Sequence, residues 1–168
     1  MIRFLRTLGI LNAAFWFGAA AFLTFVAGPA FFSDEMLRLL GRPHAGAAAQ
    51  VMLGRYFVML QICAGLALAH AIAEAVYLGQ PLWRWSLALV LGIALLTCVG
   101  AYGFQPKLRA LHRVMYGAGT PPQLREVASQ SFRLWHGVSQ AFNLALVAGV
   151  VVHLLHTTRA PQEAGRWR

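Results

Sequence analysis

Residues 7–32 read TLGILNAAFWFGAAAFLTFVAGPAFF, a run of 26 positions with no charged side chain between Arg6 and Asp34. A helix rises 1.5 Å per residue, so about 20 apolar residues cross the hydrocarbon core of a bilayer. Arg3 and Arg6 ahead of this run resemble the start of a secretory signal, but the run exceeds the roughly 7–15 apolar residues of a signal core. It reads as a retained first spanning helix.

Three further apolar runs follow, at about residues 56–77, 82–104 and 134–158. Only Gln61, His70 and Glu74 interrupt the first of these. Leu78-Gly79-Gln80-Pro81 predicts a turn, Gln105-Pro106 predicts the end of the third span, and Arg133 and Arg159 flank the fourth. The expected fold is all-α: an integral membrane four-helix bundle forming one domain over residues 1–158, with a short basic polar tail at 159–168.

Composition agrees. The 168 residues are 59% hydrophobic and 11% charged, against about 25% charged in an ordinary soluble domain. With a mean hydropathy of +0.61, too little polar surface remains to cover a soluble globule, which sets aside disordered, coiled-coil and disulfide-framework readings. The formal charge of +9 would point to nucleic acid in a soluble chain. Here the basic residues lie between and beside apolar runs, so membrane lipid headgroups are their expected partners and nucleic acid is not. Their distribution leaves orientation undecided, with six Lys/Arg on the side of the termini and eight on the other. Cys63 and Cys98 fall inside apolar runs and indicate no redox compartment.

Backbone outside secondary structure is not stable in hydrocarbon, so the connections are expected at the interfaces. In the connection 33–55, Ser33-Asp34-Glu35 followed by Met36, Leu37, Leu39 and Leu40 predicts a capped amphipathic turn closed by Gly41-Arg42-Pro43. The connection 105–133 predicts an amphipathic helical loop, with Leu108, Leu111 and Met115 on one face, a break at residues 117–122, and a helix resuming toward the fourth span.

Polar residues inside a bilayer are costly, so each calls for a partner or a purpose. His136, Ser139, Gln140 and Asn143 recur at i, i+3, i+4 and i+7 and share one helical stripe facing the bundle interior. Arg55, Tyr56 and Gln61 enter the second span from the same side of the membrane. Together these seven residues define a candidate polar pocket, suited to an anion or polar headgroup, or else an interhelical hydrogen-bond network. Toward the opposite side, His70 and Glu74 are one turn apart, and His153 lies at a matching depth on the fourth span. These three are candidates for a metal site, and His70 with His153 for a haem site. Met59 and Cys63, one turn apart, with Cys98 on the third span, form a candidate soft-metal set. There is no Gly-rich phosphate loop, nucleophile elbow or His-Glu-x-x-His, and Glu74 is the only acid within the spans. No catalytic residue is assigned. Small residues at four-residue spacing, Gly65, Ala69 and Ala73, and Ala141, Ala145 and Gly149, allow close helix contact within a homo-oligomer or a larger membrane complex.

Three stretches carry a resemblance: Phe25-Val26-Ala27-Gly28-Pro29-Ala30-Phe31-Phe32, Gly54-Arg55-Tyr56-Phe57, and Phe132-Arg133-Leu134-Trp135-His136-Gly137-Val138-Ser139-Gln140-Ala141-Phe142-Asn143-Leu144. In order and spacing they resemble the domain of unknown function 4149 family, also described as transmembrane protein 205-like, over about residues 7–155. The resemblance implies a four-helix membrane protein, with the family pattern falling on Pro29, Arg55, Tyr56, His136, Ser139 and Asn143. It further implies a link to export of soft metals or their complexes, through relatives associated with resistance to platinum drugs. Similar four-helix families include copper-resistance membrane proteins and a haem-linked porphyrinogen oxidase. The expected function is a small transport component for a metal ion or small polar solute in a bacterial inner membrane. The alternatives are a non-catalytic accessory subunit of a larger membrane complex and a haem-binding redox protein.

Overall fold

The computed structural model describes residues 2–78 and 84–159. The turn expected at 79–81, the start of the third span at Leu82 and the tail from residue 160 onward lie outside them. Among the described residues there are helices and no strand. Helix α1 spans Ile2–Phe22, α2 Asp34–Leu78, α3 Arg84–Cys98, α4 Gln105–Tyr116 and α5 Pro122–Thr158. They give four helices long and apolar enough to cross a membrane, Phe4–Ala30, Asp34–Tyr77, Arg84–Tyr116 and Pro122–Thr158. The chain is an integral, multi-pass membrane protein.

Two π-helical turns, Leu23–Ala27 after α1 and Val99–Phe104 after α3, each stand immediately before a proline-bearing helical start. Proline has no N–H, and its ring clashes with the carbonyl four residues back. Ahead of Pro29 the Gly28 N–H reaches Leu23 O, and ahead of Pro106 the Gln105 N–H reaches Gly100 O, both five residues back. This wider register accommodates the ring without ending the helix. The expectation that Gln105-Pro106 terminates the third span is therefore corrected. The helix runs on through α4 to Tyr116, and the separate amphipathic loop expected between the third and fourth spans reduces to a connection at residues 117–121.

The start of α2 follows the sequence expectation more closely. Ser33 Oγ accepts from the Met36 N–H at 3.3 Å and donates to Ala30 O at 2.9 Å, with Asp34 and Glu35 in the first turn where the helix dipole favours them. Gly41 then breaks the helix at φ 68°, ψ 159°, a conformation that only glycine adopts readily. Beyond that kink the helix is continuous to Leu78, so residues 44–55, expected in the connection, are helical as well.

Each membrane helix packs on its neighbour in sequence, and α5 closes the ring on α1. The core fills the half of the bundle nearer the chain termini, where Trp16, Leu60, Val90, Ile93 and Val150 are fully buried. Large apolar side chains such as Phe15, Phe22, Ile62, Leu66, Leu95 and Leu155 face outward. That reversal is what a hydrocarbon solvent permits.

Candidate functional site

The other half of the bundle is less completely filled, although Ala45, Leu108 and Ala128 are buried there. It encloses a cavity of about 490 Å³, walled by Leu23, Thr24, Gly28, Pro29, Phe31 and Phe32 of the first span, and by Ala49, Leu53 and Phe57 of α2. Leu96, Gly100, Phe104, Gln105 and Leu108 add the third wall, and His136, Ser139, Gln140, Phe142, Asn143, Leu144 and Leu146 of α5 the fourth. Both π-helical turns contribute to this wall, Leu23 and Thr24 from one and Gly100 and Phe104 from the other. The volume lies within the roughly 300–1,000 Å³ typical of small-molecule sites, and the wall is predominantly apolar, as such sites are.

A hydrogen-bonded layer stands at the boundary where cavity meets core. Asn143 Nδ2 donates to Thr24 Oγ1 at 2.8 Å, Thr24 Oγ1 donates to Ala20 O at 2.7 Å, and buried Tyr56 donates through its hydroxyl to Asn143 Oδ1 at 3.3 Å. One side chain from each of α5, α2 and the first span meets there, and each polar group is partnered inside the bundle. The remaining polar residues of the wall divide by whether they are already engaged. Ser139 donates to His136 O at 2.8 Å, and Gln105 Nε2 donates to Gln50 O at 3.2 Å. His136 stacks on Phe132 with ring centroids 5.7 Å apart, and neither its nitrogens nor the Gln140 amide has a hydrogen-bond partner among the described residues.

Of the seven residues predicted for a polar pocket, His136, Ser139, Gln140 and Asn143 stand together on the cavity wall. Tyr56 meets them through Asn143 beneath the cavity. Arg55 is exposed and Gln61 is half-buried outside the wall, so neither lines the cavity with the other residues. The basic group that reaches into the bundle instead is Arg109, whose Nη2 donates to Gln50 O at 2.8 Å beside Gln105. Gly54 makes room for both, since a Cβ there would lie 2.9 Å from Arg109 Nη2 and 3.2 Å from Gln105 Nε2.

The other two candidate sets are placed differently. His70 Nε2 donates to Leu5 O at 2.9 Å and stands 3.8 Å from Glu74 Oε1, while His153 is buried edge-on to Trp16 at 5.9 Å between centroids. Cys63 is buried in the core with Met59 packed against that cluster, whereas Cys98 is exposed. Among the described residues no three His, Cys, Asp or Glu side chains gather closely enough to hold a metal ion. Thr24 and Gln105 are cavity-wall residues outside the sets predicted from sequence. Thr24 carried a usable signal as one of three polar positions, with Thr7 and Asn12, in the first apolar run.

The model of one protein family matches residues 11–117 of the chain, 107 of 168 positions. The chain belongs to the family described as domain of unknown function DUF4149. The match takes in three of the four cavity walls, from Leu23 to Leu108, and ends before α5, so the row His136 to Asn143 lies outside it. No curated protein and no solved structure matches this DUF4149 chain.

Proposed function

We propose that this DUF4149 protein is a transport component of a bacterial inner membrane, and that its cargo is a small organic solute held in the cavity between the four spans. The cavity itself carries the reading. A packed four-helix bundle with no cargo has no use for about 490 Å³ of empty space at the level of two π-helical turns, features that recur at functional sites. The wall chemistry favours an organic solute over a metal ion. Among the described residues no sulfur and no carboxylate is on the wall, and the predicted sulfur and His–Glu sets lie elsewhere.

The test compares cells expressing the protein with cells expressing Ala49→Phe, which fills the cavity from α2. Both are loaded with radiolabelled neutral, anionic and cationic solutes. The expected result is altered accumulation of at least one solute, abolished by Ala49→Phe at equal membrane abundance. Identical accumulation of every solute with and without the protein overturns the reading.

A further inference from the structure

We infer that the occupant of the cavity is an uncharged amphiphile drawn from the bilayer, its apolar body inside the bundle and its single hydrogen-bonding head on His136 and Gln140. This deepens the transport reading and rests on the same cavity. Three observations carry it.

The first is where the cavity opens. On the wall, Pro29 and Phe32 of the first span and His136, Gln140, Leu144 and, at the margin, Phe142 of α5 are exposed, whereas the α2 and α3 walls are partly buried for the most part. The mouth therefore runs along the seam between the end of the first span and α5, toward the interface that bears residues 117–121. An amphiphile anchored at that interface reaches it without leaving the membrane.

The second is charge. Among the described residues no Lys, Arg, Asp or Glu stands on the wall; Arg109, beside Gln105, is committed to Gln50 O, and Arg133, one turn before His136, donates to Ser129 Oγ at 3.3 Å. An ionised group moved into such a site would lose its hydration and find no counter-charge, a cost that neutral molecules escape.

The third is the inventory of free polar groups. Thr24, Asn143, Ser139 and Gln105 each hold an internal partner, which leaves His136 and Gln140, one helical turn apart, unengaged. They stand at the mouth, level with the end of the first span. The deeper wall is Leu23, Leu53, Phe57, Leu96 and Leu146. That gradient fixes head outward and body inward, and two adjacent groups fit one small head.

The experiment uses the full chain in nanodiscs of zwitterionic lipid, with empty nanodiscs as background. Three radiolabelled probes of equal chain length are titrated: 1-decanoylglycerol, decanoate and decyltrimethylammonium. The expected result is saturable binding of 1-decanoylglycerol and at least tenfold weaker binding of both ionic probes. Gln140→Leu and His136→Phe, the latter keeping a ring on Phe132, each weaken the neutral probe about three- to tenfold, the range of one lost hydrogen bond. Ionic probes binding as tightly as the neutral one, absence of saturable binding, or unchanged affinity in both variants overturns the inference. Binding with no change in solute accumulation would refute transport and leave the ligand class standing. Transport without neutral-probe binding would do the reverse.

Discussion

Asn143→Leu isolates the polar layer at the boundary where cavity meets core. The substitution is close in volume and removes both interhelical hydrogen bonds of the layer, to Thr24 at 2.8 Å and from Tyr56 at 3.3 Å. Interhelical hydrogen bonds in membrane proteins average about 0.6 kcal/mol each, so the bonds alone account for roughly 1 kcal/mol. The larger cost falls on what is left behind. Thr24 still donates to Ala20 O and loses only an incoming donor. The Tyr56 hydroxyl, buried to 5% exposure, loses its partner, and an unsatisfied buried donor costs about 1–3 kcal/mol. The expected total is about 2–4 kcal/mol of destabilisation, read from reversible unfolding in mixed micelles. Tyr56→Phe added to Asn143→Leu removes the orphaned hydroxyl, so the double variant should recover about 1 kcal/mol or more over Asn143→Leu alone. A double variant no more stable than Asn143→Leu would refute the assignment of the cost to Tyr56. An Asn143→Leu protein as stable as the parent would refute the layer itself.

Trp16 is fully buried with its Nε1–H unpartnered, so Trp16→Phe should stay within about 1 kcal/mol of the parent, whereas Trp16→Ala should lose about 3–5 kcal/mol; thermal unfolding in detergent compares the two. Gly54→Val places carbon where Arg109 and Gln105 approach Gln50 O, which should displace both donors and cost about 1–3 kcal/mol, while Gly92→Val, at a glycine with open space around it, serves as the mild control. A side chain at Gly9 would meet the His70 ring at 2.6 Å, so Gly9→Val should break the bond from His70 to Leu5 O, seen as faster proteolysis of the N-terminal end of α1 in native membranes.

The long apolar runs made four crossing helices legible, because hydrocarbon admits few alternatives to a continuous helix. Helix ends were less legible where a proline stood. Gln105-Pro106 carries a valid local stop signal, but a π-helical turn is a second way to accommodate the same ring, and neighbouring helices decide between them. The stripe His136, Ser139, Gln140 and Asn143 followed from helical periodicity alone. Its division into free and engaged members did not, since Thr24 lies 119 positions from Asn143 and no local pattern pairs them. Arg55 shows the limit from the other side. Adjacent to buried Tyr56, it turns outward, and a one-residue step on a helix is enough to separate them.

Substituted cysteines give the most direct test of a cavity open on one side and sealed at the Thr24–Asn143–Tyr56 layer. In a Cys98→Ser background in oriented vesicles, Gln140→Cys and Val150→Cys are exposed to a membrane-impermeant methanethiosulfonate reagent from each face in turn. Gln140→Cys should react only from the face bearing residues 117–121, with protection by 1-decanoylglycerol, and Val150→Cys should react from neither. Modification of Gln140→Cys from the opposite face, or of Val150→Cys from either, would contradict that architecture.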